Sequence, residues 1–280
     1  MFSSPFHDLL SFLSPGVMQT YVVLMFLAVV GGTIIDVIHK KSARYFFENA
    51  QKAQRSAKRT VSGGEKVGLA VSTLTSEVLT SSEFCNPKRR LSHLLTMYGF
   101  ILFIVSTVAL IFGYPTPADG SGGFWATLWH LGALMVCVGG YWFWFFIRVD
   151  LNSEGNPWYR LVRADLFILS LLGTTTFALL WSFTGWAGAL NTLFFILFVA
   201  AATTLFTTVL WSKFAHMFFK PAAAYQKKIT KADGSQENLP DIGELDDPEI
   251  QARYPDIPTY MGQKPEYMGL GIKRESPNHY

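Results

Sequence analysis

Residues 17–38, VMQTYVVLMFLAVVGGTIIDVI, form a long apolar segment whose one charged side chain, Asp36, lies close to its end. At 1.5 Å per helical residue, a segment of this length crosses the roughly 30 Å of a bilayer's hydrocarbon. A helix is expected there, because lipid offers no hydrogen-bond partner for backbone N–H and C=O groups, and a helix pairs them within the segment. The segment therefore predicts a transmembrane helix, in which Gly31 and Gly32 would permit close approach of a neighbour.

Four further segments have the same character and lie at roughly 94–113, 125–147, 164–184 and 188–212. The chain of 280 residues is 50% hydrophobic and only 15% charged, whereas about a quarter of a typical soluble domain is charged. The sequence thus predicts an all-α membrane protein built as a bundle of five transmembrane helices. Asp165 opens the fourth segment and, like Asp36, is expected near a membrane interface rather than in a functional site.

The basic residues between these segments predict an orientation. Residues 39–93 carry eleven Lys or Arg and residues 148–163 carry three, whereas residues 114–124 carry none. The positive-inside rule then places the 39–93 and 148–163 connections in the cytoplasm. The N-terminus is expected outside and the C-terminus inside, which agrees with an odd number of spans.

The chain is expected to divide into an outer N-terminal segment at 1–16, a five-helix membrane domain at 17–220 and a cytoplasmic tail at 221–280. Within the basic loop, residues 41–60 are predicted to form an amphipathic helix on the membrane surface, with a solvated face and topology signal as the alternative. Pro221 is expected to end the last helix. The tail beyond it is acidic, then rich in Pro, Gly and Tyr, and is predicted to be extended and to dock a partner.

Two of the six histidines have positions that suit a haem. His93 opens the second span in RRLSHLLTMYGF, and His216 closes the fifth in WSKFAHMFFKP, both on the cytoplasmic side of the predicted topology. A haem needs two axial imidazoles from facing helices, an apolar slot and cations near its propionates. Arg89 and Arg90 lie one turn from His93, and Lys213 lies three residues from His216, so these side chains could supply the charge.

The remaining histidines and the cysteines are assigned other roles. His39 is expected at an interface, and His130 together with His7 could form an outer haem or a quinone contact. Cys85 and Cys137 form neither a disulfide framework nor a CxxC pair, and Cys85 is expected to be an ordinary buried thiol. The net charge of +3 indicates no nucleic-acid partner.

The stretches RRLSHLLTMYGF, ILFIVST, RADLFILSLLGTTTF and WSKFAHMFFK resemble the five-span b-type cytochrome subunits of heterodisulfide reductase, quinone-interacting oxidoreductase and respiratory nitrate reductase. The resemblance covers roughly residues 83–220. The whole layout, with its long basic first loop and polar tail, is similar to the membrane anchor that accompanies dissimilatory adenylylsulfate (APS) reductase in sulfur-oxidising bacteria. This resemblance implies a subunit of the bacterial cytoplasmic membrane.

The chain departs from diheme relatives of this kind at two positions. Those relatives carry a second histidine on span two and another on span five, where this chain has Phe103 and Phe198. Phe198 precedes His216 by eighteen residues, or about 27 Å of helix, so the missing pair would face the outer leaflet. The resemblance therefore implies one retained haem b on the cytoplasmic side, with His93 and His216 as its ligands.

The resemblance implies electron transfer between the quinone pool and a docked soluble oxidoreductase, which would be APS reductase with its flavin and iron–sulfur subunits. Tyr98, Trp211 and Lys213 are candidates for the quinone contact. The chain has no nucleotide loop or CxxC cluster, so chemistry beyond quinone reduction is expected to belong to partners. A haem-free structural anchor is the alternative; a small transporter is disfavoured, because the spans lack buried charges and broken helices.

Overall fold

The computed structural model describes residues 3–40, 42–82, 87–147, 159, 161–184, 188–209, 216–235 and 248–253. Within these residues the α-helices are α1 (Pro15–Lys40), α2 (Ser42–Arg55), α3 (Gly63–Thr73), α4 (Pro87–Val108), α5 (Gly123–Trp142), α6 (Leu166–Phe183), α7 (Ala189–Thr207), α8 (His216–Asp233) and α9 (Pro248–Arg253). Helices α1, α4, α5, α6 and α7 are long and apolar enough to cross a membrane. The predicted all-α bundle of five transmembrane helices is confirmed.

Short turns of other helix types extend this framework. A 3-10 turn at Pro5–Ser11 precedes α1, and π-helical turns at Leu74–Leu79, Ala109–Gly113 and Phe143–Ile147 continue α3, α4 and α5. With these extensions the second and third spans run over Pro87–Gly113 and Gly123–Ile147. Each is longer than the roughly 20 residues that cross the hydrocarbon, so each is long enough to tilt or to extend beyond it.

The five spanning helices pack in a sequence of neighbours. α4 packs along α5, α5 against α6, α6 along α7, and α7 against α1. α1 also contacts the π-helical end of α4, where Gln19 Nε2 donates to the Ile111 carbonyl over 3.2 Å. The helices therefore close into a ring at the end of the bundle where α1 begins.

Three glycines bring α4 and α5 into direct backbone contact. A Cβ added at Gly132 would lie 2.7 Å from the Gly99 carbonyl oxygen, and one added at Gly139 would lie 2.7 Å from the Ser92 carbonyl oxygen. The same close approach lets Ser92 Oγ donate to the Gly139 carbonyl over 2.8 Å. Small residues allow this approach because membrane helices associate by packing rather than by exclusion of water.

The close approach predicted for α1 occurs at only one of its two glycines. A Cβ at Gly32 would lie 3.0 Å from Val209 Cβ, beside the end of α7, whereas no atom lies within 4 Å of one at Gly31. Asp36, one turn further along α1, is buried. Asp165 is also buried, and its Oδ2 accepts a hydrogen bond from the Val162 backbone N–H over 2.9 Å at the start of α6.

The two ends of the bundle are covered by different parts of the chain. The N-terminal end, where α1, α5 and α7 begin, is covered by residues 4–13, whose Ser4 N–H donates to the Ser121 carbonyl over 3.0 Å. The loop end, where α4 and α6 begin, carries a cap of α2, α3 and α8, in which α8 packs against both other helices.

Polar contacts hold the cap together. Lys228 of α8 donates to Ser76 Oγ over 2.9 Å and to Ser72 Oγ over 3.2 Å, and its ammonium lies 3.6 Å from a Glu77 carboxylate oxygen. Arg59, between α2 and α3, donates through Nε to the Ala232 carbonyl over 2.6 Å. These contacts tie the loop before α4 to the chain after α7, although more than 150 residues separate them.

The prediction that Pro221 ends the last helix is wrong, because this residue lies inside α8. α8 begins at His216, so the proline falls early in a new helix rather than at the end of α7. Its missing N–H costs only the bond to the Met217 carbonyl, and packing against α2 and α3 stabilises the rest of α8. The predicted tail is therefore helical as far as Asp233.

Two other boundaries differ from expectation. The fifth span was expected to run to residue 212, but α7 ends at Thr207, and residues 210–215 lie outside the described residues. The amphipathic helix expected at 41–60 is present as α2, Ser42–Arg55. α3 and the π-helical turn after it were not expected from the sequence.

Candidate functional site at the loop end

His93 lies in the second turn of α4 and is half-buried. Helical periodicity places Arg89, His93 and Phe100 along one face of this helix. The ring of Phe100 lies 6.5 Å from that of Phe206 on α7, measured between centroids. The face that carries His93 is therefore turned towards α7, the span that precedes His216.

The His93 ring is held by a hydroxyl group from the cap. Its Nδ1 lies 3.1 Å from Ser81 Oγ, and Ser81 is buried. Metal-binding histidines usually donate the N–H that faces away from the metal to a carboxylate, a backbone carbonyl or water, which sets the tautomer, and a hydroxyl oxygen can accept in the same way. With the Nδ1 proton donated to Ser81, Nε2 is the nitrogen that carries the lone pair required of an axial ligand.

Ser81 adopts an unusual backbone conformation. Among the described residues it is the one non-glycine with a positive φ, at 48°. A left-handed conformation costs a non-glycine residue about 1 kcal/mol, so it persists only where surrounding contacts hold it. The strain at Ser81 coincides with the contact to His93, and this coincidence marks the pair as a candidate functional feature.

The residues around Ser81 are bonded to α4 as well. The Tyr98 hydroxyl donates to the Leu79 carbonyl and Arg90 Nε donates to the Thr80 carbonyl, each over 2.7 Å. Three successive loop residues are thus anchored along one helix. Tyr98, a predicted quinone contact, has its hydroxyl engaged in this anchor and its ring partly exposed.

Of the residues predicted for the haem site, the structure brings three together. Arg89 and Arg90 are half-buried within one turn of His93. His216 is the first residue of α8, and its side chain lies outside what the structure describes. Outside the described residues altogether are Cys85, Trp211 and Lys213. Sequence reasoning did not identify Ser81, because a lone serine in a loop has no pattern that marks it.

Phe103 and Phe198, which stand where diheme relatives carry histidines, lie in an aromatic cluster. Their ring centroids are 6.5 Å apart and nearly perpendicular, and Phe103 also lies 5.1 Å from Trp129. Trp181 stacks on Phe198 at 5.8 Å, and Phe6 from the N-terminal segment lies 5.8 Å from both tryptophans. All five residues are buried, so aromatic rings fill the bundle at this level.

The histidines at the N-terminal end have separate hydrogen-bond partners. The His130 ring is buried, with Nδ1 donating to the Ala126 carbonyl and Nε2 accepting from Ser182 Oγ, both at 2.7 Å. His7 Nε2 lies 2.9 Å from the Tyr114 carbonyl oxygen. The structure thus engages both nitrogens of His130 within the protein. His39 is exposed near the end of α1.

Within the described residues, no group of three or more His, Cys, Asp or Glu side chains converges to hold a metal ion. A haem iron needs only two axial side chains, so this finding leaves the His93 site as the candidate. No protein-family model, curated protein or solved structure matches this chain.

Proposed function

We propose that the protein is a membrane anchor and electron-transfer subunit that binds one haem b at the loop end. It would pass electrons between a soluble cytoplasmic oxidoreductase, APS reductase by the resemblance, and the quinone pool of a bacterial cytoplasmic membrane. The observation that carries the proposal is the hydrogen bond between His93 Nδ1 and Ser81 Oγ on the α4 face turned towards α7.

The residues at this site fit a haem. With Nδ1 as the donor to Ser81 Oγ, the His93 imidazole would offer Nε2 as an axial ligand, and the guanidinium groups of Arg89 and Arg90, within one turn of His93, would pair with the propionates. Phe100 and Phe206 contact each other between α4 and α7 and would give the haem apolar surroundings. His93 would hold one axial position and His216 the other.

A bound haem supplies reversible one-electron chemistry at its iron. The chain's own contribution would be to accept the Nδ1 proton of His93 in a hydrogen bond at Ser81 Oγ, to fix the plane of the ring, and to place positive charge beside it. Hydrogen bonds to axial histidines and burial of the site are the means by which a protein adjusts a haem potential. The aromatic cluster around Trp129 occupies the positions where diheme relatives carry their second histidine pair, and for this reason we place the single proposed haem at the loop end.

The loop end also suits a soluble partner. Eleven of the chain's Lys and Arg residues lie between residues 39 and 93, and six of these lie in α2, α3 and the connection between them. A basic surface of this kind steers an acidic partner to the membrane and orients it. An exchangeable quinone would reach the site from the bilayer, with Tyr98, Trp211 and Lys213 as the candidate contacts.

Haem content tests the proposal directly. We expect the purified protein, prepared with excess haem, to contain about one b-type haem per chain in a pyridine haemochrome assay, because one histidine pair is retained. Two haems per chain would contradict the single site. No haem in such a preparation would favour the alternative, a structural anchor in which the Ser81–His93 bond serves only to dock the cap on α4.

A further inference from the structure

α3 presents an apolar face that the rest of the described protein leaves uncovered. Val67, Val71 and Leu74 are 63%, 55% and 53% exposed, and their spacing of four and three residues places them on one side of the helix. A row of exposed apolar side chains on one face marks an interaction surface rather than chance exposure.

The other side of the same helix faces the protein. Thr73 is buried, and Lys228 of α8 donates to Ser72 and Ser76. α3 therefore has a polar side fastened to α8 and an apolar side directed away from the cap. This division is the pattern of a helix that lies in the plane of a membrane interface.

Contacts to α4 place the π-helical turn Leu74–Leu79, which follows α3, at the depth of the membrane boundary. Roughly 20 residues cross the hydrocarbon, so counting back from Gly113, the end of the span, puts the boundary close to His93. Tyr98 lies inside that boundary, and its hydroxyl donates to the Leu79 carbonyl. The π-helical turn that follows α3 therefore reaches the boundary rather than standing clear of it.

The apolar face is also continuous with the lipid-facing surface of α4. Leu91, Tyr98, Ile101 and Val105 share one side of α4 and are 48%, 37%, 47% and 48% exposed. Leu79, which is 44% exposed and bonded to Tyr98, lies at the edge of that surface. The row that runs from Val67 to Leu79 thus extends the apolar belt of the spanning helices.

We infer that α3 and the turn Leu74–Leu79 form a helix embedded in the membrane interface, with Val67, Val71, Leu74 and Leu79 against phospholipid acyl chains. The partner of this surface is the bilayer itself. The inference is independent of haem binding, but it has a consequence for that site. The bilayer would hold Leu79–Ser81 against α4 and thereby support the contact between Ser81 and His93.

Site-directed spin labelling of the full-length chain tests the inference. Both native cysteines, Cys85 and Cys137, are first replaced by serine, and single cysteines are then introduced at Val67, Val71 or Leu74 for labelling. The protein is placed in nanodiscs of phosphatidylethanolamine and phosphatidylglycerol. Collision rates with oxygen, which concentrates in lipid, and with a water-soluble nickel chelate report where each label lies. Lys66, exposed on another side of α3, serves as the aqueous control, and Ile101 serves as the lipid control.

We expect the ratio of oxygen to nickel collision rates at the three test positions to be well above the ratio at Lys66 and close to the ratio at Ile101. Ratios equal to that of Lys66 would overturn the inference. Nickel exposure that disappears only when a soluble partner is added would also overturn it, because the face would then be a protein interface.

A second measurement uses the unmodified chain, in case the cysteine variants fail to fold. A lipid-partitioning diazirine reagent is photolysed in the same nanodiscs, and tryptic fragments are mapped by mass spectrometry. We expect carbene adducts within residues 67–74 of the fragment from Val67 to Lys88, at a level similar to that on α4. Adducts on α4 without adducts on residues 67–74 would exclude contact with acyl chains.

Discussion

At the N-terminal end of the bundle, buried aromatic rings fill the space between α4, α5, α6 and α7, and Phe6 closes over them. At the loop end, a second buried cluster of mainly aliphatic side chains from α5, α6 and the end of α7 lies beneath a cap held by polar contacts, where a strained serine lies against a histidine. Both halves of the bundle are thus packed, but the loop end adds polar side chains contributed by the cap. This difference is the reason why we place the proposed redox chemistry at the loop end.

The largest contrast between the two ends is expected from replacing one histidine at each. We predict that His93→Ala abolishes the low-spin haem spectrum, because it removes an axial ligand, whereas His130→Ala leaves the spectrum intact. His216→Ala should reproduce the loss. The visible spectrum and the haem-to-protein ratio of the purified variants measure this. Retention of the spectrum in His93→Ala would show that another residue is the ligand and that the two ends do not differ in this way.

Removing the chain after Ser235 tests whether partner docking also belongs to the loop end. This cut leaves the cap whole, because α8 ends at Asp233. We predict that the shortened protein inserts and keeps its haem, since α8 and its contacts to α3 remain, but loses most of its affinity for the soluble reductase. Co-purification or a surface-binding assay measures the affinity of the shortened protein for the soluble reductase. Undiminished binding would show that the cap docks the partner alone.

The aromatic cluster should matter for stability and not for haem. We expect Trp129→Ala to lower the free energy of unfolding by about 3–5 kcal/mol, the usual cost of removing a fully buried aromatic side chain. Phe146→Ala is the matched control, because Phe146 is 72% exposed on the same spanning element, and its loss should have little effect. Thermal unfolding in detergent and haem content are both measured. Loss of haem in Trp129→Ala would mean that the two ends are not independent.

Much of the fold could be predicted from the sequence, but the features of the two ends that depend on tertiary contacts could not. The spans follow from uninterrupted apolar length, so α4, α5 and α6 lie close to their expected places. α7 ends at Thr207 although the sequence stays apolar beyond it, because hydropathy does not show where a helix ends. His93 could be selected from its position beside a span. The conformation of Ser81 could not, because it occurs beside long-range bonds from Tyr98 and Arg90 to the neighbouring residues, which no local pattern reveals.

A smaller effect is expected from Ser81, where strain and the histidine contact can be separated. Ser81→Ala removes the hydroxyl but keeps a Cβ at positive φ, whereas Ser81→Gly removes both. Each should shift the haem's reduction potential and its low-spin resonance, because His93 loses its partner. The glycine variant should be more stable than the alanine variant by about 1 kcal/mol. Unchanged resonance and potential in both variants would limit Ser81 to docking the cap.

The smallest expected effect is a pH response at the N-terminal end, where Asp8 lies in the 3-10 turn before α1. Burial raises the pKa of Asp8 from 3.8 to about 6, and the neighbouring His7 opposes this only in part. A carboxyl whose pKa is higher in the folded state favours folding while it is protonated. This contribution is complete below about pH 4 and is lost as the pH rises through about 6. Because the side chain is only partly buried, the loss should amount to no more than about 1 kcal/mol.

We therefore predict that Asp8→Asn raises the unfolding temperature slightly at pH 7 and flattens its dependence on pH between about 4 and 6. Thermal unfolding across that range measures both quantities, and Asp119→Asn, in the exposed connection nearby, is the control. A pH dependence that survives in Asp8→Asn would assign the response to another group, and a haem spectrum that changed with it would link the two ends of the bundle.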